Sequence, residues 1–206
     1  MIVPSMNMIE IQREWEKEFP IIFRKAGYVA KEMHKTLKLN KEDEIVKYFD
    51  YLSKFKNNWI YSITFTKKRD YFIFLVYNYD RQGLNAYTVM GGDESYMFVF
   101  TAHFFKRYNE RRKLSLVKPN DILRAFMDDN HSFSVQPLDD LNENMNNIIC
   151  AADTGVLLGT ADTKQKIYRM NTYLTNDMLK EDQKAITIAL HEEFDHDGRD
   201  YTPYNP

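Results

Sequence analysis

The residues whose types and spacing suit chemistry best lie in FTAHFFKRYNERR, Phe100 to Arg112, where one histidine and three arginines fall within a single short stretch. Read as a helix at about 100° per residue, His103, Arg107 and Arg111 lie within about 80° of one another, with Glu110 beside His103. Phe104, Phe105 and Tyr108 occupy a separate arc, which is the side that docks such a helix on a core. An imidazole next to two guanidiniums can transfer protons and hold a phosphate or another anion. The same spacing has a plainer reading: Arg107 stands three residues from Glu110, the spacing of an exposed helical ion pair on a solvated face.

Other candidates carry less. His191 and His196 in HEEFDHD are five residues apart, whereas two zinc-binding histidines on one helix face need four. A metal site from His191, Glu192, Asp195 and His196 would require the helix to end first, so no metal and no cofactor is expected. Gly91, Gly92, Gly155 and Gly159 lack the lysine and strand-turn-helix setting of a phosphate loop and read as turn or strand-packing glycines. Cys150 lies in the apolar run IICAAD and is expected to be buried and inert. No serine has a nucleophile-elbow setting.

Composition bounds the class. A chain of 206 residues, 44% hydrophobic and 15% aromatic, can bury a sizeable core and is not disordered. A net charge of −2 argues against an overall basic footprint for duplex DNA or an anionic membrane. A single cysteine cannot form an internal disulfide, which fits a reducing compartment, and cytoplasm is the expected location. The first residues reach acidic side chains too soon for a signal peptide, and no apolar run approaches the ~20 residues that span a bilayer.

The elements that must position the stretch follow from periodicity. Residues 1–57 read as an amphipathic helical layer or extension: two helices, or one bent at Pro20, then a third capped by Asn40 and carrying Ile45, Tyr48, Phe49, Leu52 and Phe55. Residues 58–190 read as an α+β domain. Its strands are expected over Trp59–Phe65, Tyr71–Tyr77, Leu84–Val89 and Tyr96–Phe100, with turns at KKRD, Asp80–Gly83 and Gly91–Gly92. The His103 helix and a second one from Pro119 come next, then extended chain at His131–Val135 and strands at Ile148–Ala152, Val156–Thr160 and Lys166–Leu174. A C-terminal helix follows from near Asn176, and residues 191–206 are expected to be a loosely ordered tail. Hairpin-length links predict α+β with a mainly antiparallel sheet.

HFFKRYNER, then PNDILRAFMDDN, then IICAADTGVLLGTAD, then a strand ending in RMNTYLT, resembles the small RelE/barnase-like ribonuclease toxins over roughly Phe100 to Leu174. In several groups of that superfamily a helix of the form H-x-x-x-R-x-x-x-R precedes a four-stranded sheet, and a hydroxyl residue ends a late strand. The resemblance implies metal-independent cleavage of single-stranded RNA, with His103 as base or acid, Arg107 and Arg111 on the scissile phosphate, and Thr172, Tyr173 or Thr175 as the late hydroxyl. Glu110 would be a second proton-transfer group, and Tyr168 and Tyr173 would stack on bases. The alternative is a non-catalytic module that binds a protein partner through its front helices and keeps a solvated arginine face.

Overall fold

The computed structural model describes residues 1–3, 5–40, 44–66, 70–90, 95–130, 133–138 and 145–197. The chain divides into two compact units, Met1–Asn78 and Tyr79–Pro206, so the division falls about twenty residues after the expected helical front end. The class is α+β with a mostly antiparallel arrangement of strands, a helix at the start and a helix at the end.

Among the described residues the first unit holds one long helix, α1 (Met8–Asn40), and three antiparallel strands in the order β1 (Glu44–Leu52), β2 (Asn58–Thr66), β3 (Asp70–Asp80), the last running just past the division. Helix α1 starts in a reciprocal cap that the sequence writes as N-x-x-E. Asn7 Oδ1 accepts from the Glu10 N–H at 3.0 Å, and Glu10 Oε2 accepts from the Asn7 N–H at 2.8 Å. Pro20 lies inside the helix without ending it. The helix is held by aromatic packing: Trp15 stacks on Phe19 at 4.1 Å, and Phe19 meets Phe74 edge-on at 5.2 Å.

The third front helix is not formed. EIVKYFDYL is the strand β1, paired with β2 from Glu44↔Thr66 to Leu52↔Asn58, and Phe49 stacks on Tyr61 at 5.0 Å. Its apolar spacing suits either period, and five β-branched or aromatic residues that find a partner strand decide for the extended form. Asn40 belongs to the end of α1, and the KKR and Gly91–Gly92 turns lie outside the described residues.

The second unit orders its strands β4 (Gly83–Met90), β5 (Tyr96–Phe100), β9 (Ile167–Leu174), β8 (Gly155–Asp162), β7 (Asn146–Ala152), β6 (Phe133–Pro137). Neighbouring strands of this order run antiparallel except β5 and β9, which run parallel with Phe98↔Tyr168 and Phe100↔Met170 opposed. The connection from β5 carries α2 (Ala102–Arg111) and α3 (Pro119–Asp129), and α4 (Glu181–Asp197) closes the described chain. At the expected Asp80–Gly83 turn, Asp80 Oδ1 accepts from the Gln82 and Gly83 N–H groups, and Gly83 sits at φ 122°, where a side chain would be strained.

The core under α2 and α3 is aromatic. Phe100, Phe104 and Phe126 lie within 5.0–5.5 Å of one another by ring centroid, and Tyr108 meets Phe126 edge-on at 5.5 Å. Helix α4 covers a separate apolar group of Ile149, Ala151, Val156, Leu179 and Leu190. It continues to Asp197, into the segment expected to be a loose tail, and residues 198–206 lie outside the described residues.

Candidate functional site

Helix α2 follows β5 after a single residue, Thr101, which fixes where its charged face stands. Thr101 has extended backbone (φ −77°, ψ 162°), and its Oγ1 accepts from the Phe104 N–H at 3.2 Å. Its hydroxyl and its N–H both donate to the Met170 carbonyl, at 3.1 and 3.2 Å. The Ala102 N–H is taken by Asn85 Oδ1 at 2.9 Å. The helix start is thereby tied to β9 and β4, and Phe104, Phe105 and Tyr108 go into the core.

The opposite face carries the expected stripe. His103 is exposed near the helix start. Arg107 Nη1 donates to Glu110 Oε2 at 3.0 Å, with the two side chains 41% and 46% exposed. A pair that open to water contributes a few tenths of a kcal/mol. Arg111 Nη1 donates to Thr172 Oγ1 at 3.1 Å and, in a very short contact, to the Tyr173 carbonyl oxygen.

The Arg111 contact has a backbone cause. Strand β5 ends at Phe100, opposite Met170, so among the described residues that flank of β9 has no strand beside it beyond Met170. In the β8 to β9 ladder, Gly159 opposes Met170 and Leu158 opposes Thr172, which leaves Asn171 as an extra, unpaired residue. Such a bulge shifts the alternation by one. Met170 and Tyr173, three residues apart, are accordingly both fully buried. Arg111 supplies a donor to the chain where the parallel ladder has stopped.

The late hydroxyls therefore part company. Thr172 is brought to Arg111. Tyr173 points its ring into the core at 0% exposure, edge-on to Tyr108 at 5.2 Å. Its phenol donates to the Thr154 carbonyl at 2.7 Å and lies 2.9 Å from Thr154 Oγ1. Burial pushes that phenol above its ordinary range. A side chain at Gly155 would place its Cβ 2.6 Å from the Tyr173 oxygen, so glycine is what admits the phenol there. Thr175 precedes the short 3-10 turn Asn176–Met178.

One cluster was not anticipated. Arg112, next to the stripe, makes a two-pronged bond to Asp129 (Nε to Oδ2 2.8 Å, Nη2 to Oδ1 3.0 Å), and the Tyr108 phenol donates to Asp129 Oδ2 at 2.6 Å. It pins the end of α2 to the end of α3. The hydrogen bonds it donates to Asp129 hold the Arg112 guanidinium above its ordinary range, and burial, with that same carboxylate, pushes the Tyr108 phenol up. A signal was there to find: an acidic residue at a helix C-terminus opposes the helix dipole unless a cation answers it.

Tyr168, expected as an exposed aromatic, is half-buried and stacks on Tyr96 with ring centroids 4.5 Å apart and planes 8° from parallel. Cys150 is fully buried, and burial pushes its thiol up. Among the described residues no three His, Cys, Asp or Glu side chains are grouped so as to hold a metal ion; the side chains of His191, Glu192, Asp195 and His196 lie outside the described set. Among the described residues no helix is long and apolar enough to cross a membrane. In comparisons with protein-family models, with curated proteins and with solved structures, nothing matches this chain.

Proposed function

We propose that this chain is a non-cleaving RNA-binding protein that takes the phosphates of a single strand along the exposed face of α2. The observation that carries the reading is the way the two guanidiniums are held. Arg107 is bonded through Nη1 to Glu110, and Arg111 through Nη1 to Thr172 and the Tyr173 carbonyl, each from the flank. The remaining N–H groups of a guanidinium so held suit a phosphate, whose oxygens match its planar fork. His103 stands eight residues before Arg111, so the stripe runs about 12 Å along the helix.

Binding is favoured over cleavage because transesterification needs an acid and a base within hydrogen-bond reach of one phosphate. His103 and Glu110 are seven residues apart, about 10 Å along the axis. The Tyr173 phenol is spent inside the core. A reducing compartment, suggested by the lone buried thiol, makes cytoplasm the proposed location. The exposed Arg107–Glu110 pair favours a second reading, in which the arginines serve only the fold and α1, with Tyr28 65% exposed, meets a protein partner.

The test is fluorescence anisotropy of a labelled single-stranded RNA with chelator present, across a salt series. Binding is expected to weaken with salt at a log-log slope of about −0.7 per phosphate engaged. Arg107→Ala should lower both the affinity and that slope, and the RNA should emerge intact. Salt-independent binding, or an Arg107→Ala variant identical to the parent, would leave the second reading. Cleavage that disappears in His103→Ala would reinstate the nuclease.

A further inference from the structure

We infer that the Tyr96–Tyr168 pair is a stacking step for a base of the same single strand, an inference that rests on the phosphate-binding reading of α2. Strand β5 is YMFVF, and alternation sends Tyr96, Phe98 and Phe100 to one face. The parallel register adds Tyr168 beside Phe98 and Met170 beside Phe100 on that face. It is the face on which α2 and α3 lie, since Phe100 packs against Phe104, Phe105 and Phe126, and Phe98 lies 6.4 Å from Phe133.

Along this ladder coverage falls away in one direction. Phe100 and Met170 are fully buried, Phe98 is 4% exposed, and Tyr96 and Tyr168 are part-exposed. Two parallel phenol rings at the open end of an aromatic ladder give one half of what holds a single strand, a sequence-tolerant platform for a base. The other half is cationic. The Met97 N–H donates to the Lys166 carbonyl at 2.9 Å, which places exposed Lys166 next to Tyr96.

Order along β9 joins the platform to the stripe. Tyr168 stacks on Tyr96, Met170 receives the cap of α2 just before His103, and Thr172 receives Arg111. Tyr168 and Met170 are two residues apart, about 7 Å at the rise of a strand. Each ring of the pair already has the other on one side, and Tyr168 also meets Phe98 edge-on at 5.1 Å, so the incoming base meets the face of Tyr96 turned away from Tyr168. The strand thus runs from Tyr96 toward Arg111, base first and phosphates after.

The experiment measures two probes, a labelled single-stranded RNA and inorganic polyphosphate, which repeats the phosphates and has no base. The proteins are the parent, Tyr96→Leu, Tyr96→Trp and Arg107→Ala, each checked for native circular dichroism. Tyr96→Leu is expected to bind RNA about tenfold more weakly and polyphosphate unchanged, from the usual size of one base-aromatic contact. Tyr96→Trp should keep RNA affinity, and Arg107→Ala should weaken both probes. If Tyr96→Leu matches the parent on RNA, or weakens both probes alike, the stacking step is overturned while the α2 reading stands. If the parent binds neither probe, both fall together. Should Tyr96→Leu not fold, the Trp variant decides: a tenfold loss for RNA alone would overturn the step.

Discussion

Glu18 has 1% exposure and keeps its carboxylate satisfied with neutral donors alone among the bonds described. Ser53 Oγ and Asn57 Nδ2 donate to Oε1, each at 2.9 Å, and Trp59 Nε1 donates to Oε2 at 2.6 Å. Removing it strands three buried donors as well as opening a void. Glu18→Ala is therefore expected to cost about 3 kcal/mol in urea denaturation, the scale of breaking a buried charge-assisted network. Glu18→Gln keeps the volume but turns one acceptor into a donor facing donors, so it should fall between the parent and Ala. A glutamine variant as stable as the parent would show that the carboxylate is not what these donors need. Three neighbouring arginines show the same dependence on surroundings. Arg107 stays on the surface with Glu110, Arg111 bonds the β9 backbone, and Arg112 is locked on Asp129. Spacing alone put Arg107 and Arg111 on one stripe, and it had no means to say that Arg111 would be recruited by a chain edge.

Thr101 is the element-scale counterpart, one residue that stops a strand, starts a helix and crosses to a third element. Thr101→Val keeps the shape and the β-branch but loses both the cap on Phe104 N–H and the bond to the Met170 carbonyl. The expected loss is about 1–2 kcal/mol, with Thr101→Ser recovering most of it, and hydrogen exchange at the Phe104 amide should quicken in the valine variant. Unchanged exchange there would mean the cap does not hold the first turn. Elements with local signals were legible: β5 was read as Tyr96–Phe100 and is found there, and Pro119 opens α3. Segment Glu44–Leu52 was misread because its apolar spacing fits two periods and the choice is made by β2, which lies elsewhere in the chain. The bulge at Asn171 had no local signal either. It exists only as a mismatch between β8 and β9, yet it decides that Tyr173 goes to the core while Thr172 meets Arg111. Of the candidate site, the helix face could be read, and what that face touches could not.

Across the whole molecule, tyrosines make alkaline pH the informative direction. Burial pushes the phenols of Tyr61, Tyr87, Tyr108 and Tyr173 above the ordinary value of 10.0, in both compact units, with the Asp129 carboxylate adding to the effect at Tyr108. In the unfolded chain these groups release their protons near 10, whereas the folded chain keeps them. Above that pH the unfolded state binds fewer protons, so stability falls as pH rises; below it the contribution is fully present and flat. Urea midpoints should thus be insensitive to this set up to about pH 9 and decline from about pH 10. Lysines titrate in the same window, and Tyr108→Phe separates the two causes. At pH 8 the variant should be less stable by about 1 kcal/mol, having lost its bond to Asp129. From pH 10 to 11 it should lose stability less steeply than the parent, because one retained proton is gone from the folded state. Parallel declines in parent and variant would show that Tyr108 ionises as readily folded as unfolded, and that the phenol, Asp129 and Arg112 do not form the closed arrangement that joins α2 to α3.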